Sequence, residues 1–347
     1  MKLKRLALTL TSLALTVTMA ACAPSAVKTE SSGGDNKGKT TNLSLVGFAV
    51  LEASHKELQK AWAAAKPDNK VSWSNSFGAS GDQARAVASG LEADLVHFSL
   101  ESDVTRLVDE GLIAEDWKDN DFGGVISSSV VVIAVREGNP KNITSWADLA
   151  KPGVEIVTPN PGSSGSARWN ILAAWGDAVL NGADDTAATS YLEKVFANIV
   201  SLPGSGRDAT TAFTSGTGDV LISYENEAIL AREKGEPIDY FIPENTLRIE
   251  NPGAVLKDAD PLAKEYLDFI TSDEGQTVFA ASGYRPVSGK EIEGLEVPGA
   301  NDPKNPFPAA TGKLLTINDD FGGWSEANQK FFSDDGIITK IQAQAGK

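Results

Sequence analysis

The 347-residue chain has one cysteine, two histidines and two methionines, and its 31 basic residues are outnumbered by 47 acidic ones. The single Cys22 excludes an intramolecular disulfide. His55, His97 and that cysteine leave little from which to build a soft-metal site, so neither a metal nor a cofactor is expected. A net charge of −16 excludes nucleic acid as a partner and provides no electrostatic attraction to an anionic bilayer. No apolar run is long enough to span a membrane, since the one candidate, Leu6 to Met19, is short.

What stands at the start reads as a targeting segment. Lys2, Lys4 and Arg5 precede the apolar run, and the small residues Ala20 and Ala21 precede Cys22, so residues 1–21 are expected to be a signal peptide. A sole cysteine there resembles the lipobox of bacterial lipoproteins, which implies cleavage before Cys22 and a lipid on its thiol. Residues 22–41, rich in Ser, Gly and Lys, read as a flexible tether holding a domain off the membrane. Within it, Gly33-Gly34-Asp35-Asn36-Lys37-Gly38-Lys39-Thr40 has the letters of a phosphate-binding loop, but polar linker precedes it and a strand comes after it, so the match is compositional. Without Lys2, Lys4 and Arg5 the chain carries 28 basic residues against 47 acidic, a net of −19.

The remaining chain of about 325 residues is long enough for two packed domains. Leu43–Phe48, Val71–Trp73, Ala93–Phe98, Val130–Val135, Val154–Val157 and Asp219–Ser223 read as strands, with helical patterns between them. That alternation predicts α/β layers with mainly parallel sheets. Ligands in such sheets bind at the carboxyl ends of strands.

Three Gly/Ser turns sit at those ends. Ser76-Phe77-Gly78-Ala79-Ser80-Gly81 opens one helix and Leu202-Pro203-Gly204-Ser205-Gly206-Arg207 another. The most informative is Pro159-Asn160-Pro161-Gly162-Ser163-Ser164-Gly165-Ser166, which leads into Ala167-Arg168-Trp169-Asn170. Small residues leave backbone N–H groups uncovered at a helix start, where the dipole favours negative charge. A single such turn is equally a capped helix; three of one kind point to helix N-termini converging on a small anion.

Here the chain resembles the sulfate-binding proteins of bacterial ABC importers, over nearly all of its length after the tether. The resemblance is carried by Ala79-Ser80-Gly81, Gly90 to Asp94, Arg136 to Lys141, Lys151 to Val154, Thr158 to Asn170, Gly218 to Ile222, Glu225 to Ala228, Tyr284-Arg285-Pro286 and Phe321 to Trp324. It implies a two-lobed, periplasmic-binding-protein-like fold with a hinge. Residues 42–128 plus about 250–310 would form lobe 1 and 129–249 lobe 2, with 311–347 returning near the hinge. By position, Ser80 and Ser164 would donate hydroxyls, Gly165, Ser166 and Gly206 backbone N–H groups, and Arg207 would support the site from behind. Two departures stand out: Tyr224 replaces a donating tryptophan, and Ala49 lies near a usual aspartate. The resemblance also implies sulfate as ligand, an ABC permease as partner and an extracytoplasmic, lipid-anchored monomer.

The alternatives differ in chemistry. Sulfate has no proton at neutral pH, so a donor-only site satisfies every oxygen; a phosphate hydroxyl facing donors costs about 1–3 kcal/mol. A phosphate binder needs a carboxylate acceptor, for which Asp82 and Asp208 are the nearest candidates; molybdate or thiosulfate would satisfy the same donors. A secreted hydrolase would use Ser164 with His97, although the second glycine of a nucleophile turn falls at Ser166. Arg207 could instead pair with Asp208 at the surface.

Overall fold

A computed structural model describes residues 40–347, which form one compact unit. The signal peptide, Cys22, the tether up to Lys39 and nearly all of the phosphate-loop lookalike lie outside the described residues. Ten strands run in chain order: β1 (Thr41–Phe48), β2 (Val71–Gly78), β3 (Leu95–His97), β4 (Val125–Arg136), β5 (Ile156–Val157), β6 (Ile199–Ser201), β7 (Val220–Tyr224), β8 (Ile238–Phe241), β9 (Thr246–Val255) and β10 (Leu314–Leu315). The helices are α1 (Glu52–Ala65), α2 (Ser80–Ala88), α3 (Glu101–Asp109), α4 (Gly165–Leu180), α5 (Asp185–Ala197), α6 (Gly206–Thr214), α7 (Glu225–Glu233), α8 (Pro261–Thr271), α9 (Asp273–Ala281), α10 (Ile317–Phe321), α11 (Gly323–Ala327) and α12 (Ile337–Ala345). None is long and apolar enough to cross a membrane.

The α/β class and the strand–helix alternation stand, while the sheet is mixed. Strands β2, β1 and β3 pair in parallel, as do β6, β5 and β7. These are the two bodies built by strand–helix–strand crossovers. Antiparallel pairing enters where β4 and β9 join them. The first half of β4 pairs with β9, its second half with β7 and β8, and the far end of β9 pairs with β3. One continuous path results, β2-β1-β3-β9-β4-β7-β5-β6. Two long strands crossing between two sheet bodies have the form of a hinge.

Local chemistry accounts for these elements. Val130–Val135 is almost fully buried because β4 is covered by neighbours along both edges and on both faces. β9 escapes a reading by pattern: Arg248, Glu250, Asn251, Pro252 and Gly253 look like a turn. In the fold Pro252 stands at a register shift, where its carbonyl accepts the Phe98 N–H at 2.9 Å. Gly253 passes directly under Ile126, and a Cβ there would lie 2.8 Å from the Ile126 Cγ1. The segment after Tyr284 packs on the second body, with Val297 and Ala300 buried against Val130, Ile229 and Tyr240. The sequence had grouped that segment with the first body.

Candidate functional site

The helix starts meet where the two sheet bodies face each other. Gly81 at the start of α2 donates its N–H to Ser163 O at 3.1 Å, across the gap. Gly165 lies so close to the end of β3 that a Cβ would meet the Ser99 Cβ at 2.6 Å and the Leu100 Cγ at 2.8 Å. A Cβ on Gly206, at the start of α6, would lie 2.8 Å from Ser166 Oγ and 3.2 Å from Val50 Cγ2. Glycine is required at both points by approach, not by backbone angle. Ser80, Ser164, Gly165, Ser166, Gly206 and Tyr224 are all buried.

The three helix starts are not equivalent. α2 carries Asp82 in its first turn, and α6 carries Asp208 and a capping Ser205 whose hydroxyl accepts from the Asp208 N–H at 3.1 Å. α4, at 16 residues the longest of the three, has no acid in its first turn and no side-chain cap. The Ser164 hydroxyl is not used by its own helix, although Ser164 is 3% and Ser166 4% exposed. A buried, uncapped helix N-terminus leaves donors and positive dipole without a partner. An anion would give those donors acceptors and the dipole a counter-charge.

Ser99, which the sequence reading did not single out, is the hub of this region. Its hydroxyl lies 2.7 Å from the Tyr224 hydroxyl. Its carbonyl accepts from Trp169 Nε1 at 3.0 Å and Asn251 Nδ2 at 3.1 Å, and its N–H donates to Ser80 Oγ at 2.9 Å. Position was the available signal, since Ser99 comes just after the end of β3. Burial pushes the Tyr224 hydroxyl up to about 12, against hydrogen bonds with Ser99, Ser166 and Asn251, so it stays protonated.

Several expectations change here. Ser80 does not present its hydroxyl hydrogen freely; it donates to Asp103 Oδ2 at 2.6 Å. Asp103, at the start of α3, was also unforeseen, and burial raises its pKa despite the Ser80 bond and nearby Arg168, Arg106 and Arg85. Arg207 does not pair with Asp208. Its Nη2 donates to Glu227 Oε1 at 2.7 Å and Val50 O at 3.2 Å, because α6 packs against α7 rather than facing solvent there. Neither candidate acceptor for phosphate is placed for that role: Asp82 is 61% exposed and paired with Arg85, and Asp208 takes the Ser205 hydroxyl at 2.7 Å. His97 is not brought to Ser164, since its ring nitrogens meet His55 and Ser127.

A cavity of about 350 Å³ reaches Ser164 and Gly165 at the start of α4, lined also by Gly81, Asp103, Ser163 and Arg168, but Ser80, Ser166, Gly206, Arg207 and Tyr224 do not line it. A larger one, about 1100 Å³, lies along β4, β9 and the segment after Arg285 and touches none of the sequence-predicted site residues. Volume favours the second; donor chemistry favours the first, and a small anion needs donors rather than room.

The family profile described as bacterial extracellular solute-binding protein matches residues 44–285. The chain belongs to that family. This solute-binding protein is 38% identical to a sulfate-binding protein of Synechococcus elongatus over 96% of its own length and 95% of that relative's. It is 35% identical to a thiosulfate-binding protein of Pseudomonas aeruginosa, covering 85% of this chain and 90% of that one. Among solved structures, the sulfate-binding protein SubI from Mycobacterium tuberculosis H37Rv superposes with a TM-score of 0.76 at 39% identity, over 84% of this chain and all of that one. The solute-binding fold agrees with that superposition.

Proposed function

We propose that this protein captures sulfate between its two lobes outside the cytoplasm and hands it to an ABC permease. The observation that carries the reading is the buried start of α4, which has neither capping side chain nor acid. Sulfate would take the Ser164 hydroxyl, the Gly165 and Ser166 N–H groups, the Gly206 N–H and the Tyr224 hydroxyl as donors, with Ser80 holding Ser99 in place. Arg207 would support the start of α6 from behind through its bonds to Glu227 and the Val50 carbonyl. The sulfate-binding relatives support the ligand class, and the thiosulfate-binding relative keeps thiosulfate as the second reading.

Binding is the whole of its chemistry in this reading, since no histidine is placed to activate Ser164. Lobe 1 would take residues 42–128 with about 250–285, and lobe 2 would take 129–249 with most of the chain beyond Tyr284. The hinge would lie at the shared stretch Ser127–Val130 of β4 and Arg248–Asn251 of β9. Closing about it excludes water, which strengthens every donor that faces the anion. Cys22 would carry the lipid, and residues 22–41 would tether a monomer to the membrane.

Calorimetric titration of anion-stripped protein with sulfate, thiosulfate, phosphate and molybdate at pH 6 and pH 8 tests the reading. Micromolar or tighter sulfate binding with far weaker phosphate binding is expected. Phosphate binding without a sulfate response would overturn the donor-only site, and thiosulfate bound above sulfate would select the second reading.

A further inference from the structure

The chain's two histidines take no part in the donor set, yet both are fully buried and joined to it. His55 Nδ1 lies 3.0 Å from the Tyr266 hydroxyl, and His55 Nε2 lies 2.9 Å from His97 Nδ1. His97 Nε2 lies 3.0 Å from Ser127 Oγ. Ser127 Oγ is 3.3 Å from Asn251 Oδ1, and Asn251 Nδ2 is 3.1 Å from Ser99 O. The series starts on α8, passes through α1 and β3, and crosses both hinge strands to the residue that meets Tyr224 and Trp169.

Its direction is set from one end. A backbone carbonyl only accepts, so the Asn251 amide must turn Nδ2 to Ser99 and Oδ1 to Ser127. Ser127 then donates its one hydrogen to Oδ1 and must accept from His97 Nε2–H. His97 Nδ1 is therefore an acceptor, His55 must carry its proton on Nε2, and the Tyr266 hydroxyl donates to His55 Nδ1. Both histidines are neutral Nε2–H tautomers, and one reversed member would set two acceptors or two donors against each other. A His97 nitrogen that already donates to Ser127 is no base for that hydroxyl.

We propose that Tyr266, His55, His97, Ser127, Asn251 and Ser99 form a one-way hydrogen-bond relay that fixes the Ser99 peptide for lobe closure on the anion. His55, His97, Ser127 and Asn251 are then positioning residues. The proposal rests on reading the Ser99, Tyr224 and Gly165 cluster as the sulfate site. Ser99 is worth fixing because Ser80, Trp169 and Tyr224, from both sides of the cleft, converge on it. The surroundings keep the relay neutral. Phe48 from β1, Phe77 from β2 and Phe279 from α9 pack on the rings. Tyr266 and the partner ring are the titratable groups facing them, and no carboxylate bonds either ring among the described residues. Burial pushes His55 down to about 3, and burial with the neighbouring His55 lowers His97.

Two-bond proton–nitrogen NMR on the labelled protein reads both tautomers directly. Two Nε2–H rings, unchanged from pH 6 to pH 8, are expected; an Nδ1–H or doubly protonated ring at pH 7 overturns the relay whatever the protein binds. Calorimetry with sulfate then reads the coupling. Ser127→Ala should weaken sulfate about tenfold, while Ser127→Thr, which keeps the hydroxyl, restores it. Asn251→Asp sets a carboxylate oxygen against the Ser99 carbonyl in place of the Nδ2–H donor, so it should weaken sulfate at least as much as Ser127→Ala. Merely structural residues would lower melting temperature without a matching loss of sulfate affinity, and equal affinities for Ser127→Ala and wild type would refute the coupling. Wild-type protein that ignores sulfate while showing both tautomers would mean that the site reading, not the relay, is wrong.

Discussion

Gly165→Ala separates the site from the fold. Gly165 is the first residue of α4, and a Cβ added there meets the Ser99 Cβ at 2.6 Å and the Leu100 Cγ at 2.8 Å. Within α4 the change is favourable, since alanine is the better helix former by about 0.8–1.0 kcal/mol in a helix interior and by less at its first position. Against Ser99 it is unfavourable, because overpacking of this kind costs about 1–3 kcal/mol. The two effects fall on different states: the helix gain applies with the lobes open or closed, the clash only when they close. Melting of anion-free protein should therefore be unchanged or slightly raised, while sulfate affinity falls by about 5- to 150-fold. Calorimetry beside thermal melting reads both. A melting point several degrees lower with affinity intact would refute the reasoning, since Gly165 would then be packed against Ser99 for stability and not for closure.

Ser164→Ala should weaken sulfate by about 1–3 kcal/mol at an unchanged melting temperature, because in the proposed site the hydroxyl would donate to the anion, and it does not cap α4; calorimetry on the folded variant checks this. Glu227→Gln leaves the Arg207 guanidinium, 27% exposed, without its carboxylate, and thermal melting should show a loss of about 3 kcal/mol or more. Asp103 has a folded pKa raised by burial, so its protonated form favours the native state; that contribution is complete below the unfolded value of 3.8 and is lost as pH rises through the folded one. Asp103→Asn should accordingly be more stable than wild type at pH 7, with the gain shrinking towards pH 4. It should also bind sulfate more tightly at pH 8, since a carboxylate beside Ser80 no longer repels the dianion. Denaturant titrations at the two pH values, with calorimetry at pH 8, test both halves.

Much of this was legible in the sequence, for identifiable reasons. The strands with apolar, β-branched runs announced themselves, and the Gly/Ser turns at their ends marked the starts of α2, α4 and α6, where small residues leave backbone N–H groups uncovered. Apart from Ser99, marked only by its place after β3, the residues that escaped notice carry no local signal. Asn251 lies in a strand that reads as a turn, because Pro252 and Gly253 are tolerated there only through a register shift and the passage under Ile126. Asp103 looks like any acid in a first turn of a helix until the fold buries it against Ser80. Arg207 looked ready to pair with its neighbour Asp208, whereas only tertiary packing of α6 on α7 brings Glu227 to it.

The same division explains how a chain with net charge −16 could hold an anion at all. Long-range repulsion from surface acids is screened within about 8–10 Å at physiological salt, whereas donors at contact distance in a closed cleft act through low dielectric. Several acids near the site have their own partners. Glu227 is paired with Arg207 and Asp82 with Arg85, and Asp208 takes a hydrogen bond from Ser205. Of the three helix starts, only that of α4 has neither an acid in its first turn nor a side-chain cap. Global charge argues against the ligand, but local geometry decides for it.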